Sequence, residues 1–191
     1  HGLSQAPEMF ILKNATNTSN SEWAVYSNQL TSANYYLALN TGAAEDTDTA
    51  RFNDTDPTSS VFSVGTGWTT NGSGNTMVVY CFHSVEGYSK VGSFVGNNST
   101  TDNVFVYCGF KPAMVLTKAI DDSGQDWTLR DNKRNAYNVV DTALEPNSNV
   151  ADSTATNFNI DFLSNGFRPY NNNTQGAGYA EQLYIAFAES P

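Results

Sequence analysis

The chain repeats itself at an interval of about 105 residues, and this repeat limits its fold more than any other feature. The stretch VVYCFHS, which ends at Ser84, returns near the end of the chain as LYIAFAES, with Phe82 aligned on Phe187. The same shift aligns PEMFI, which begins at Pro7, with PAMVL, which begins at Pro112. Self-similarity of this kind indicates that one structural module occurs twice in the chain, so both halves are expected to fold alike.

Further landmarks recur at nearly the same spacing. The matched pairs are Gly2 with Gly109, Trp23 with Trp127, and the turn Asn71–Gly74 with the turn Gln175–Gly178. The repeat therefore predicts a first unit over residues 1–86 and a second unit over residues 87–191, each near the commonest size of a domain. The two matched tryptophans are interpreted as core anchors.

The first unit has no counterpart of the segment Tyr88–Tyr107, because the chain begins at the position that matches Cys108. That unit is expected to lack its opening strands and to leave the edge of a sheet open. Our hypothesis is that residues upstream of His1, or a strand from a neighbouring subunit, cover this edge.

The composition is typical of strands joined by turns. Aromatic residues make up 13% of the chain, and Asn, Thr, Ser and Gly separate short apolar runs. Helical periodicity never persists for three turns. The sequence therefore predicts an all-β protein built from two tandem, homologous β-sandwich units that resemble jelly rolls. Val61–Val64 is expected to be a strand, and Ser89–Val95 is expected to form a hairpin with Val104–Tyr107.

The net charge of −10 reflects a shortage of basic residues, since Lys and Arg number only nine. Phosphate binding needs a basic surface, so nucleic acid is not expected as a partner. The most basic stretch, DNKRNAYN from Asp131, is interpreted as a solvated loop. No apolar run approaches the ~18 residues that cross a bilayer, so membrane insertion is not expected.

The two cysteines, Cys81 and Cys108, both lie inside apolar runs. A free cysteine in such a run behaves as a small core residue, so free thiols are the leading interpretation. A disulfide between them stays open as the alternative.

The sequence resembles those of a family of repeat-containing virion proteins of bacteriophages, especially marine and cyanobacterial ones. The motifs run in fixed order over nearly the whole chain: HGLSQAPEMFILKN, WAVYS, VFSVGTG, NGSGNTMVVYCFHSVEGYSKVGSFVGNNS, GFKPAMVLTK, DNKRNAYN, DFLSNGF and YIAFAE. Where the family continues its opening as GLGVAP, this chain has Ser4 and Gln5, so that turn is expected to differ.

The resemblance implies a surface-exposed structural protein of the virion, such as a tail-fibre module, which works in host attachment as a homo-oligomer with other virion proteins. It carries no catalytic residue over to this chain. Three alternatives stay open: a lectin-like domain that binds host polysaccharide, a capsid decoration protein, and a polysaccharide depolymerase. For the fold, the alternative is one larger sandwich of the concanavalin-A type built from two half-repeats.

The residue pattern gives no support to catalysis. Only His1 and His83 could serve as the base of a nucleophilic group, and His83 is interpreted as a structural or surface residue. No strand carries the two closely spaced carboxylates of a glycoside hydrolase, since the Glu residues sit at loop edges. A non-enzymatic protein without a required cofactor is therefore expected.

Two kinds of binding site are worth naming. Trp68, in the loop Gly65–Gly74, has no apolar neighbour beside it and could stack on a sugar ring. Two acidic loops offer oxygen ligands for calcium, although solvated loops are the leading interpretation because their spacing lacks the usual Gly and terminal Glu. The calcium candidates are Asp46, Asp48, Asp54 and Asp56 in the first loop and Asp121, Asp122 and Asp126 in the second.

Overall fold

The structure is a computed structural model that describes residues 1–16, 22–97, 99, 103–170 and 180–189. Strands hold 39% of the residues and helices 6%, and the strands form several antiparallel sheets. The predicted all-β class is confirmed, and the arrangement is consistent with a β-sandwich. The chain divides into two compact units, His1–His83 and Ser84–Pro191. Whether these are two sandwich domains or two halves of one larger sandwich stays a prediction.

Unit 1 contains one five-stranded sheet with the strand order β4-β3-β2-β1-β5. Its strands are β1 (Met9–Asn14), β2 (Trp23–Ser27), β3 (Tyr35–Ala38), β4 (Asp46–Thr47) and β5 (Met77–Phe82). Two one-turn helices, α1 (Thr49–Phe52) and α2 (Trp68–Asn71), lie between β4 and β5 in the sequence.

An aromatic cluster holds the layers of unit 1 together. Phe10 of β1 stacks on Tyr26 of β2 at 4.8 Å between ring centroids, because the two residues are direct cross-strand partners. Phe52 of α1 meets the Phe10 ring edge-on at 5.1 Å, and Phe62 meets it at 4.7 Å. Asp48 fixes the start of α1 by accepting a hydrogen bond from the Ala50 N–H. The sheet therefore buries this face against helix and loop.

Unit 2 contains two larger sheets and one small one. The strands are β6 (Ser89–Val95), β7 (Val106–Tyr107), β8 (Pro112–Ala119), β9 (Thr128–Asp131), β10 (Thr142–Ala143), β11 (Ser153–Thr154), β12 (Ile160–Leu163), β13 (Gly166–Pro169) and β14 (Glu181–Ala188). The sheet orders are β6-β14-β8-β9, β12-β13-β7 and β10-β11. A 3₁₀ turn spans Thr156–Phe158.

The core of unit 2 lies between its two larger sheets. Phe94 and Tyr184 reach it from the four-stranded sheet, and Phe162 and Phe167 reach it from the three-stranded sheet. The Phe167 and Tyr184 rings meet edge-on with centroids 5.2 Å apart. Two sheets that share one apolar layer in this way form a sandwich.

The strand pairings of unit 1 recur in unit 2 with the same register. The equivalent cross-strand pairs are Met9 with Phe82 and Met114 with Phe187, Val25 with Leu37 and Leu129 with Leu144, and Tyr35 with Thr47 and Thr142 with Thr154. The order β4-β3-β2-β1-β5 thus corresponds, strand by strand, to β11-β10-β9-β8-β14. The repeat in the sequence is a repeat of hydrogen-bonding register.

The matched tryptophans share a backbone contact. The Trp23 N–H donates to Asn40 Oδ1 at 2.9 Å, and the Trp127 N–H donates to Asn147 Oδ1 at 2.8 Å. The Trp127 side chain is buried, as a core anchor should be, whereas Trp23 is half-buried and has the Lys13 amine 5.6 Å from its ring centroid. The same backbone position therefore supports a deeper anchor in unit 2.

Some local predictions were wrong. Ser89–Val95 forms no hairpin with Val104–Tyr107, because β6 pairs with β14 while β7 pairs with β13 in the other sheet. Val61–Val64 is not a strand, since Val61 is exposed and Phe62 turns inward onto Phe10. The first acidic loop contains β4 and α1. The predicted turn Gln175–Gly178 lies outside the described residues.

The repeated Trp–Asn contact makes a paired test of burial. We expect Asn147→Ala to lower the free energy of unfolding by about 1–3 kcal/mol, because the N–H of buried Trp127 loses its acceptor and Asp126 loses the Asn147 amide as a donor. Asn40→Ala should cost clearly less, since Asn40 is exposed and water can replace it at the Trp23 N–H. Equilibrium denaturation of both variants checks the difference, and equal losses would contradict this explanation.

Candidate functional site

A polar cleft of about 690 Å³ opens on unit 1. Its walls come from the segment that precedes β1, from the end of β2 and the turn that follows it, and from the acidic loop. The polar side chains on it include Gln5, Glu8, Asn28, Thr31, Ser32 and Asp56. Three separate stretches of sequence therefore meet here, and no local motif signals the site.

Tyr26 connects this cleft to the core. Its ring is buried against Phe10, while its hydroxyl donates a hydrogen bond to Asp56 Oδ1 at 2.9 Å. Burial, and then the neighbouring Asp56 carboxylate, raise the pKa of Tyr26 well above its ordinary value. The hydroxyl therefore stays protonated and holds Asp56 in place. Because the ring face is buried, Tyr26 offers the cleft a hydroxyl but no stacking surface.

The rim of the cleft is held by local hydrogen bonds. The Glu8 carbonyl accepts from the Asn28 N–H at 2.9 Å and from Ser27 Oγ at 3.1 Å. Across the turn, the Thr31 N–H and hydroxyl both donate to the Glu45 carboxylate. Carboxylates, amides and hydroxyls on a fixed rim can accept hydrogen bonds from the hydroxyl groups of a neutral polar ligand.

Trp68, the residue predicted to contact sugar, does not line this cleft. It is the first residue of α2 rather than part of an open loop, and 44% of its surface is exposed. Its carbonyl accepts a hydrogen bond from Asn14 Nδ2 at 3.2 Å, which ties α2 to β1. The exposed ring is thus held on a fixed support, and sugar contact there stays a prediction.

The acidic residues of the first loop have separate structural roles. Asp48 caps α1 and lies 3.4 Å from Arg51 Nε, while Asp46 accepts from the Thr47 N–H at 2.7 Å. Asp56 accepts from Tyr26, and Asp54 adopts a left-handed backbone conformation with φ of 43°.

The second acidic loop follows the same pattern. Asp121 accepts from the Glu181 N–H at 3.0 Å, Asp122 from Gln125 Nε2 at 3.3 Å, and Asp126 from Asn147 Nδ2 at 2.6 Å. In the part of the chain that the structure describes, no group of three or more His, Cys, Asp or Glu side chains could hold a metal ion. Calcium binding at either loop stays a prediction.

The two histidines make structural contacts. His1 Nε2 donates to the Thr58 carbonyl at 3.1 Å, and His1 Nδ1 accepts from the Leu3 N–H at 3.2 Å. His83 Nδ1 lies 2.8 Å from Gln5 Nε2. His83 follows β5 rather than lying within it, and its contact fixes the segment that leads into the cleft.

Two buried cations of unit 2 were not singled out by the sequence. Lys118 of β8 donates from Nζ to the Ala119 carbonyl at 2.7 Å, and burial lowers its pKa to about 8 although Asp122, Asp126 and Asp121 act in the opposite direction. Arg130 of β9 donates to the Phe158 carbonyl at 2.7 Å, and burial lowers its pKa to about 10. Lys118 lies at the end of the largely apolar strand PAMVLTKA, which was the available signal for that residue, whereas the strand TLRD gives no such signal for Arg130.

The cysteines and the basic stretch are structural. Cys81 is half-buried, Cys108 is buried, and both are free thiols. Burial raises the pKa of Cys108 to about 12, so its thiol stays protonated and unreactive. In the basic stretch, Asp131 accepts from the N–H groups of Lys133 and Arg134, each at 2.9 Å. That stretch is an ordered turn on the surface.

Comparison with known proteins gives a family and little else. A family model described as "Domain of unknown function (DUF7483)" matches residues 1–191. The chain belongs to this family. No curated protein and no solved structure matches the chain. Among the residues that the structure describes, no helix is long and apolar enough to cross a membrane.

The buried amine of Lys118 gives the DUF7483 chain a measurable pH dependence. The folded pKa is about 8 and the ordinary value is 10.5, so between these pH values the unfolded chain binds a proton that the folded chain does not. The stability of the wild type should therefore rise relative to Lys118→Met as pH increases from 8 to 10.5, by on the order of 2 kcal/mol. Denaturation curves measured across this range check the slope, and parallel curves for the two proteins would contradict it.

Proposed function

We propose that the chain is a non-enzymatic structural module of a bacteriophage virion, displayed at the particle surface in a tail fibre or similar appendage. Support comes from the ordered motifs that resemble such proteins and from the all-β architecture, which suits a rigid exterior part. The observation that carries the proposal is the outer edge of β5, which no described strand covers. An open strand edge is a ready site for assembly with another subunit.

Host attachment is the proposed role of the exposed loops. Binding residues are often carried by loops that a fixed scaffold positions. In unit 1 the five-stranded sheet supports the acidic loop, which brings Asp56 to the polar cleft, and it supports α2, which presents Trp68. Both features are exposed and ordered, as a host-recognition surface requires.

The second candidate function is lectin-like binding of host polysaccharide at the unit 1 cleft. The polar rim and the fixed Asp56 carboxylate favour it, because hydroxyl-rich ligands need several hydrogen-bond acceptors in a fixed arrangement. The buried ring of Tyr26 argues against high affinity, because sugar-binding sites usually combine hydrogen bonds with an aromatic surface, and this ring offers none.

Location in the particle is directly testable. Antibodies raised against the folded chain should label intact virions of the encoding phage at the tail or its fibres, as seen by electron microscopy of gold-labelled particles. Labelling spread over the capsid would instead support the decoration-protein alternative. Intact particles without label, combined with label on disrupted ones, would contradict display at the surface.

Carbohydrate binding can be tested with variants of the two candidate contacts. If the cleft binds host polysaccharide, Asp56→Asn should weaken retention on a glycan array at least roughly tenfold, since a charge-assisted hydrogen bond contributes about 1.5–3 kcal/mol. Trp68→Ala tests the stacking contact, and Tyr137→Ala, at an exposed aromatic in unit 2, is the matched control. No binding by the wild type to host polysaccharides would remove the lectin alternative. Shortened polysaccharide chains after incubation would instead indicate a depolymerase.

A further inference from the structure

In unit 2 the last strand of the repeat, β14, has a neighbouring strand on both of its edges. β8 lies on one side, and the seven-residue strand β6 lies antiparallel on the other. In unit 1 the equivalent strand β5 has β1 on one side only, and it ends the described sheet. Among the described strands, the two units therefore differ by the one strand that lies beside β14 in unit 2 and has no equivalent beside β5 in unit 1.

The backbone of β5 is oriented to accept that strand. The carbonyls of Thr76 and Phe82 accept from β1 and its flanks, so the alternation of an antiparallel ladder turns the peptide groups of Met77, Val79 and Cys81 outward. In unit 2 the matching residues are those that face β6, as the bond from the Ala188 N–H to the Tyr88 carbonyl at 2.8 Å shows.

The side chains show the effect of the missing strand. Leu183, Tyr184 and Ile185 of β14 are 1%, 3% and 4% exposed. The matching residues of β5, Val78, Val79 and Tyr80, are 39%, 36% and 51% exposed. These three consecutive residues point to alternate faces of the sheet, so the exposure follows the edge rather than one face.

The edge also lacks the features that usually keep strand edges apart. The sequence of β5, MVVYCF, contains no charged residue and no proline, and its pairing with β1 runs without a break over six residues. The strand that occupies the equivalent edge, SKVGSFV, carries one basic residue, Lys90, and no acidic one. A strand of that kind suits a chain whose net charge is −10.

We propose that the outer edge of β5 binds an extended, antiparallel strand of the β6 type, contributed by another copy of the same repeat. The donor strand alternates its side chains as Ser89–Val95 does, and it completes the sheet of unit 1 by main-chain hydrogen bonds. The inference rests on the proposed assembly role and names its partner. Because the edge is tested here with a peptide and particle location is tested with antibodies, the two proposals can fail separately.

The donor position opposite Val79 allows a selective probe. In unit 2 this position is Gly92, where an added Cβ would lie 2.7 Å from Tyr184 Oη. A peptide with the sequence of Tyr88–Gly96 but with Gly92→Val can therefore replace β6 in unit 2 only if the buried Tyr184 ring moves, which disfavours that site. At β5 the opposing residue is the smaller Val79, so the same peptide has room to pair.

The test is a titration of the full chain with this valine peptide, read by hydrogen exchange and by calorimetry. Binding should slow exchange at the amides of Val79 and Cys81. Val79→Pro removes an outward donor without touching the β1 ladder and should weaken binding at least tenfold, and Val79→Lys should do the same without altering the backbone. The matched control is Val95→Pro, at an exposed valine whose backbone faces outward on β6. This variant should bind the peptide as tightly as the wild type does.

Three results would overturn the proposal. The first is an absence of binding while circular dichroism shows the chain folded. The second is exchange protection away from β5, or equal weakening by Val79→Pro and Val95→Pro. The third is a wild-type chain that light scattering shows to be a dimer, that Val79→Lys makes monomeric, and whose dimer the peptide does not dissociate, since the occupant would then be β5 of a second copy.

Discussion

The antiparallel register between β1 and β5 in unit 1, and between β8 and β14 in unit 2, sets the rest of the structure. Met9 faces Phe82 in unit 1 and Met114 faces Phe187 in unit 2. From each of these pairs the register continues unbroken to the other end of the strands, whereas in unit 2 it shifts between Phe187 and Ala188. A shift of one residue would turn each core side chain to the opposite face. This register directs Phe10 towards Phe52 in one unit and Tyr184 towards Phe167 in the other.

The two units fill this common frame differently. Phe10 and its partner Tyr26 form an aromatic stack in unit 1, whereas the matching pair in unit 2 is Val115 and Arg130. Burying a guanidinium is costly unless acceptors surround it, and Arg130 donates to the Phe158 carbonyl and to Thr117 Oγ1 at 3.1 Å. The same strand arrangement thus accommodates either stacked aromatic rings or a buried cation that is hydrogen-bonded to nearby acceptors.

The features that could be predicted from the sequence are those with a clear pattern along the chain or a match between the two copies of the repeat. The strand class follows from the short apolar runs, which are local signals. The repeat and the core position of Trp127 follow from matches between the two halves, such as Phe82 with Phe187 and Trp23 with Trp127. Pairing between strands was harder to predict. β6 and β7 are neighbours in sequence, yet each pairs with a strand more than 50 residues away, and the burial of Phe94 and Val106 in one core decides this.

The cleft was not predicted because its residues come from three segments that only the folded chain brings together. Glu8, Asn28 and Asp56 belong to no common motif, and the contact between Tyr26 and Asp56 crosses 30 positions. The open edge of β5 was predictable for the opposite reason. An absence in one copy of a repeat can be seen by comparison with the other copy, and the register then specifies which peptide groups are left facing outward.

An uncovered strand edge also limits how the chain can behave among its own copies. Main-chain hydrogen bonding alone does not distinguish partners, so an edge as uncharged as β5 would pair with any exposed strand that approached it. The excess of acidic residues opposes the approach of like chains over distances of about a Debye length, and a basic residue on the donor strand, such as Lys90, weakens that repulsion locally at the edge. Long-range charge therefore selects which strands come close, and short-range register and side-chain size, as at Gly92 and Tyr184, select which of them fit.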